Sequence, residues 1–331
     1  MPRILLTHTP AALERYYGAR ALAALEALAE VRRNPLAREW TEDELVEAAR
    51  GCDLVISYRQ TAAGAGLLAR LTDIVAFARC AIDIRNIDVA AAGAAGILVT
   101  QASAGFVTAV SEWVIGAMID LSRAISASSE AYHAGRVPAA PMGRELRGAT
   151  LGVVGYGQIG RALCTLARAF GMRVLVSDPF VTVADAGIAQ VAQDTLLADA
   201  DYVVCLAVAT DATENLFDDA AFARMKPGAF FINPSRGNLV DEAALARALD
   251  GGRLAGCAMD VGRAPDQMPT PALARHPKVI ATPHLGGLTP PAIEHQALET
   301  VAQAQEILAG RAPQGAVNAA QATRLARLRR H

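Results

Sequence analysis

Gly155-Tyr-Gly-Gln-Ile-Gly160 spaces its glycines so that a backbone can turn tightly and approach a pyrophosphate. Two further segments follow in the same half of the chain, Asn233-Pro-Ser-Arg236-Gly237 and Thr282-Pro-His284. The planar fork of an arginine suits a carboxylate, with two parallel charge-assisted bonds. An imidazole exchanges a proton near neutral pH. Together these are the groups needed to reduce a carbonyl that stands beside a carboxylate. Singly they are modest evidence, because a surface arginine usually serves an ion pair and a lone histidine is usually structural. Their order along one chain points to hydride transfer.

The glycine segment has the right neighbours. Leu151–Val154 reads as a short strand before it, and Gln158–Phe170 follows with Ile159, Leu163, Leu166 and Ala167 at helical spacing. Gly155 permits the turn, Gly157 admits the pyrophosphate and Gly160 allows close helix–strand packing. The helix N-terminus then offers unpaired N–H groups to phosphate. A second strand ends at Ser177-Asp178, where an acid accepts hydrogen bonds from a ribose. No arginine stands in Pro179–Thr182 to welcome a 2′-phosphate, so NAD is expected over NADP.

The elements that must hold these residues alternate. Strands are predicted at Ile4–Thr7, Leu54–Ser57, Ile74–Ala78 and Ile97–Thr100, with helices around 11–29, 41–50, 64–70 and 87–93. Such alternation implies an α/β chain with a parallel sheet covered by helices. One long helix is predicted from Ser103 to His133. A second strand series comprises Leu151–Val154, Arg173–Ser177, Tyr202–Leu206, Ala229–Ile232, Ala255–Met259 and Val279–Ala281, sufficient for a doubly wound nucleotide-binding domain. The helical stretch from Thr289-Pro-Pro291 to Gly310 is expected to return to the first domain. Residues 1–102 and 288–331 would then form a discontinuous substrate domain, and 103–287 the Rossmann domain. The arginine-rich tail Thr323–His331 reads as solvated and frayed.

Bulk properties narrow the class. With 331 residues, 53% apolar residues and mean hydropathy +0.25, the chain is long and apolar enough for two cores. A net charge of −2 argues against general attraction to nucleic acid or anionic membrane. Cys52, Cys80, Cys164, Cys205 and Cys257 are scattered and form no CxxC pair, which suits reduced thiols in a cytoplasm better than disulfides or a metal site. No apolar run is long enough to span a bilayer, so a soluble cytoplasmic protein is the expectation.

With Ala258-Met-Asp260-Val261 added, the chain resembles the D-isomer-specific 2-hydroxyacid dehydrogenases, the group of phosphoglycerate dehydrogenase and the hydroxypyruvate/glyoxylate reductases. The resemblance covers nearly the whole chain and is strongest from Leu146 to Gly287. It implies a flavodoxin-like substrate domain beside the Rossmann domain, a cleft between the two, and a homodimer built on the helix near 104–133. It further implies that Arg236 orients and polarises a 2-oxo acid while His284 acts as general acid and base. Gln158, Ile159, Asp178, Val208, Thr213, Pro234, Ser235, Arg236, Asp260 and His284 would line NAD, with Asp260 by the nicotinamide.

Two departures from the family pattern stand out. The family's acidic partner of the histidine falls at Pro265, with Asp266 next, so Asp266 is the candidate to replace the missing glutamate. In the first domain Arg79-Cys-Ala81-Ile82-Asp83 carries an aspartate where glycine is usual. Either Asp83 adds a carboxylate to the substrate rim with Tyr58, Arg59, Ala81 and Ile82, or it pairs with Arg85. The rim reading suggests a substrate with a polar or cationic distal group. Two alternatives stay open at this stage: an NAD(H)-sensing binding protein on the same fold, and a dehydrogenase whose atypical chemistry needs little proton transfer.

Overall fold

A computed structural model describes residues 1–330, and the chain divides into two compact units. Unit 1 contains Met1–Gly105 and the chain from Thr289 onward; unit 2 contains Phe106–Leu288.

Unit 1 is built on five parallel strands: β1 (Arg3–Leu6), β2 (Glu30–Arg33), β3 (Leu54–Ser57), β4 (Ala76–Arg79) and β5 (Leu98–Gln101), in the order β2-β1-β3-β4-β5. β3 and β4 are buried along their whole length, as strands covered on both faces must be. Alternation along β1 sends Ile4 and Leu6 to one core and Leu5 to the other. The first core takes in Leu25, Ala297, Ala304 and Ile307, so the helix Pro290–Leu308 completes unit 1. Strand order reverses between β1 and β3, where open α/β sheets leave room for a ligand.

Several expected elements change. The helix expected over 11–29 breaks into Pro10–Tyr16 and Ala19–Leu28 around Gly18, whose φ is +84°. β2 was not expected, because an edge strand of sequence Glu-Val-Arg-Arg shows no apolar run. The tail is not frayed. Thr323–Arg330 forms a 3-10 helix, Leu325 is buried, and the Arg324 guanidinium donates to the carbonyls of Leu71 and Ile74. Residue 331 lies outside the described residues.

At the end of β1 sits His8, 1% exposed, with neither ring nitrogen hydrogen-bonded. Burial, reinforced by the nearby Arg79 charge, pushes its pKa down to about 3. The unfolded chain therefore takes up a proton below about 6.5 that the folded chain refuses. This contribution to stability is complete above pH 6.5 and is lost as pH falls toward 3. Between pH 7 and pH 4 the loss amounts to about 3 kcal/mol. Urea unfolding at the two pH values should show a difference smaller by that amount in His8→Phe than in the wild type. An equal difference in both proteins would contradict the assignment.

Unit 2 holds seven parallel strands: β6 (Thr150–Val154), β7 (Arg173–Ser177), β8 (Ile188–Gln190), β9 (Tyr202–Cys205), β10 (Ala229–Asn233), β11 (Leu254–Met259) and β12 (Val279–Ala281). Their order is β12-β11-β10-β9-β6-β7-β8, a doubly wound sheet whose direction reverses between β6 and β9. The glycine segment follows β6 and so lies at that switch point. The single helix expected over 103–133 is two helices, Val107–Arg123 and Ile125–His133, parted by Ala124 at φ +52°. Among the described residues no helix is long and apolar enough to cross a membrane, no group of His, Cys, Asp and Glu could hold a metal ion, and all five cysteines are buried and free.

Candidate active site

The loop after β6 is shaped by what its glycines cannot carry. A Cβ on Gly155, at φ +102°, would stand 2.5 Å from the Leu206 carbonyl oxygen, and one on Gly160 would stand 2.5 Å from that of Gly155. Nothing lies within 4 Å of the corresponding position at Gly157. The first and third glycines thus serve packing, while the second leaves its backbone open to a ligand. Gln158 and Ile159 begin the helix Gln158–Ala169, whose free N–H groups face the same opening.

Asp178 follows β7 and accepts from the backbone N–H of Tyr156 at 2.7 Å, Phe180 at 2.8 Å and Val181 at 3.1 Å. A carboxylate has about four acceptor positions, so room remains for a hydroxyl. The carboxylate both ties the glycine loop to β7 and keeps a negative charge where a ribose would need an acceptor. After β9, Val208 is 76% exposed, available to cover a flat ring, whereas the Thr213 hydroxyl donates to the Val208 carbonyl at 2.7 Å and shapes its own turn. These residues fit a dinucleotide.

Arg236 is held in an extended backbone just past β10. Buried Asn233 donates to the Arg236 carbonyl at 2.9 Å and accepts from Ser235 N–H at 3.0 Å, and the Ser235 hydroxyl donates to the Ala207 carbonyl at 2.9 Å. A Cβ on Gly237 would fall 2.0 Å from the Gly262 carbonyl oxygen, so the turns after β10 and β11 touch backbone to backbone. Pro234 and Ser235 therefore lie inside a turn clamped from both sides, which fixes where Arg236 begins.

His284 stands on the loop after β12 at φ +52°, with its N–H donating to the Asp260 carbonyl at 2.9 Å. Asp260, 2% exposed, gathers this loop: Oδ1 accepts from the Thr282 hydroxyl at 2.6 Å and Leu285 N–H at 2.8 Å, and Oδ2 from Gly286 N–H at 2.8 Å. The Nδ1 of His284 lies 3.0 Å from the main-chain oxygen of Asp266. A carbonyl only accepts, so this bond places hydrogen on Nδ1 and leaves Nε2 to exchange a proton. The residue weighed for the missing glutamate meets the histidine, but by its backbone.

That contact depends on an unusual turn. Asp266 and Gln267 both adopt left-handed backbones, φ +56° and +58°, after Pro265. Gly262 N–H closes the turn on the Gln267 carbonyl at 2.7 Å. Aspartate tolerates this conformation and a β-branched residue does not. Asp266→Gly should keep kcat within about twofold, while Asp266→Val, strained by about 1–2 kcal/mol, should lower it about tenfold or more. Equal activity in the two variants would remove the turn from the account.

In unit 1, fully buried Arg79 donates to the carbonyls of Tyr58 and Thr61 and to Asn86 Oδ1 at 2.7 Å, joining the loops after β3 and β4. Burial lowers it to about 10, so it stays cationic at neutral pH. Ala81, Ile82 and Asp83 are half-buried on the second loop. Arg85 meets Asp83 through Nε at 3.0 Å and Nη2 at 2.6 Å. The extra carboxylate at position 83 is thus paired, which weakens the case for a cationic substrate group.

Sequence reasoning overlooked Arg263, which bonds the Asn238 and Val240 carbonyls and Asn215 and pairs with Glu214 at 2.8 Å. It anchors the start of the Asp266 turn to the loops beyond β9 and β10. It also overlooked His8.

Residues 115–286 match the family model described as D-isomer specific 2-hydroxyacid dehydrogenase, NAD binding domain. The chain is 36% identical to an (S)-sulfolactate dehydrogenase of Chromohalobacter salexigens over 81% of this chain and 88% of that protein. It is 34% identical to a D-3-phosphoglycerate dehydrogenase of Mycobacterium tuberculosis over 83% of this chain, but spans only 53% of that relative. Among solved structures, the apo form of D-lactate dehydrogenase from Escherichia coli superposes with a TM-score of 0.83 at 25% identity, covering 95% of this chain and 99% of that one.

Proposed function

Since the chain belongs to the D-isomer-specific 2-hydroxyacid dehydrogenase family and is an NAD-dependent oxidoreductase, we propose that it interconverts a 2-oxo acid and a D-2-hydroxy acid through Arg236 and His284. The observation that carries this reading is the His284 Nδ1 contact with the Asp266 carbonyl, which leaves Nε2 as the proton-exchanging atom. When bound, NADH would supply the hydride to C2 in reduction, and NAD would accept it from C2 in oxidation. Arg236 holds the substrate carboxylate and draws electron density toward the 2-oxo oxygen. In reduction, that oxygen takes the proton from Nε2 of the imidazolium and becomes the hydroxyl; in oxidation, neutral Nε2 takes it back.

The remaining assignments belong to the same proposal. The glycine loop and helix N-terminus hold the pyrophosphate, Asp178 the ribose and Asp260 the loop on which His284 is carried. Tyr58, Arg59 and Ala81–Asp83 supply the substrate rim of unit 1. A homodimer through Val107–His133 is included, supported by the exposed apolar side chains Ile125 and Tyr132. The direct test follows NADH absorbance against 2-oxo acids including glyoxylate, hydroxypyruvate, phenylpyruvate and bulkier polar acids. Turnover of at least one, with D-configured product, is expected. Clear NADH binding with no turnover of any acid would replace this reading by a nucleotide sensor.

A further inference from the structure

Between β11 and β12 the chain runs through the segment Gly262–Thr270, which carries the Asp266 carbonyl against Nδ1 of His284. None of residues 263–270 is buried, so no core side chain locks this segment in place. Its internal hydrogen bonds run from Gly262 N–H to the Gln267 carbonyl at 2.7 Å and from Ala264 N–H to that of Met268 at 3.0 Å. These give the segment its shape. Its position has to come from groups outside it.

Glu242, half-buried in the first turn of the helix Glu242–Asp250, reaches both ends with one side chain. Its Oε1 accepts from the Arg263 N–H at 3.0 Å, and its Oε2 accepts from the Thr270 hydroxyl. Hydrogen bonds to an ionised carboxylate are about twice as strong as neutral ones. A Cβ on Gly262 would stand 2.9 Å from Glu242 Oε1 and 2.5 Å from Pro269 Cα, so the two ends close tightly on each other and on the carboxylate. The Arg263 side chain, bonded to Asn215, Asn238, Val240 and Glu214, grips the first end only. An acid in a first helical turn ordinarily serves its own helix. Here Asp241 already caps that helix, accepting from Ala243 N–H at 2.9 Å and Ala244 N–H at 3.1 Å, and both oxygens of Glu242 go to the loop.

We propose that Glu242 is a positioning residue for the proton transfer: it clamps both ends of Gly262–Thr270 and so holds the Asp266 carbonyl on Nδ1 of His284. The inference deepens the catalytic reading and rests on it. A neutral imidazole can carry its hydrogen on either nitrogen, and the partner of one nitrogen decides which. Without the clamp the carbonyl withdraws, and part of the molecules carry hydrogen on Nε2. In those molecules Nε2 cannot take the substrate's proton, and the ring is no longer aimed for reduction.

The test reads the tautomer directly. Protein with isotope-labelled histidine rings is followed by nitrogen NMR at about pH 9, where an imidazole is neutral. The His284 signals are those missing from His284→Asn. Wild-type protein should carry hydrogen on Nδ1. Glu242→Ala should share it between Nδ1 and Nε2 and lose about 10-fold or more in kcat, with NADH affinity within about threefold of wild type. Glu242→Gln, whose amide accepts from Arg263 N–H and donates to the Thr270 oxygen, should keep the wild-type tautomer and lose no more than about threefold in kcat. Thr270→Val opens one end of the clamp, should move both readouts in the same direction, and decides the matter if Glu242→Ala does not fold. Hydrogen kept on Nδ1 in Glu242→Ala, or equal losses in the alanine and glutamine variants, overturns the role of Glu242 alone. Hydrogen on Nε2 in the wild type overturns the catalytic reading and this proposal together.

Discussion

Replacing His284 with asparagine should lower kcat for 2-oxo acid reduction by about 10²- to 10⁴-fold, the usual worth of a positioned general acid. Asparagine is the informative choice because the position has φ +52° and asparagine adopts that backbone readily. The loop should keep its shape, since Asp260 holds it through Thr282, Leu285 and Gly286, none of which is changed. NADH affinity should therefore stay within about threefold. A large fall in NADH affinity together with kcat would show that His284 is structural and remove it from the proton transfer.

Arg236→Gln should lower kcat/KM by about 10²- to 10⁴-fold, the loss of two charge-assisted hydrogen bonds. Arg236→Lys keeps the charge and loses the planar fork, so its activity should fall between the two. The turn that carries Arg236 is held by Asn233, Ser235 and the close approach of Gly237 to Gly262, not by the guanidinium alone. Thermal midpoints close to wild type are expected. Activity close to wild type in both the glutamine and the lysine variant would mean that charge and fork geometry are both irrelevant, and carboxylate recognition would have to lie elsewhere.

The places of those two residues just past β10 and β12, and of the nucleotide loop just past β6, were legible because the flanking strands and the residue types are plain in the sequence. Gly155 and Gly160 occupy places where any Cβ would strike a carbonyl, and Asp178 sits one residue past a strand whose apolar run is plain. Other features leave no such trace. Ala124 breaks the long helix in a left-handed backbone although alanine is the strongest helix former, so nothing local announced the break. The tail docks through one arginine donating to two carbonyls and one buried leucine, a pattern that looks solvated in sequence. β8, three residues at the sheet edge, is too short to show a period.

The partner of His284 belongs to the same illegible class. Side-chain reasoning asked which acid had replaced the glutamate at Pro265 and found Asp266 beside it. The contact that the structure shows is made by a main-chain oxygen of Asp266, presented by two successive left-handed residues, and main-chain contacts are nearly independent of residue type. A carbonyl dipole still sets the tautomer and aims the ring, as it does for many functional histidines. His8 escaped for the opposite reason: its identity was visible, but its burial and unmet nitrogens were not.

The most direct test of this arrangement is the kcat/KM of Asp266→Asn for a 2-oxo acid that the wild type reduces, followed from pH 5 to pH 9. Asparagine keeps the main-chain oxygen and the left-handed backbone and removes only the carboxylate charge. If the Asp266 carbonyl positions His284, the variant's profile should superimpose on that of the wild type. A selective loss near pH 7–8 with activity kept near pH 5 would show that the carboxylate itself supports the imidazolium, and would contradict the account.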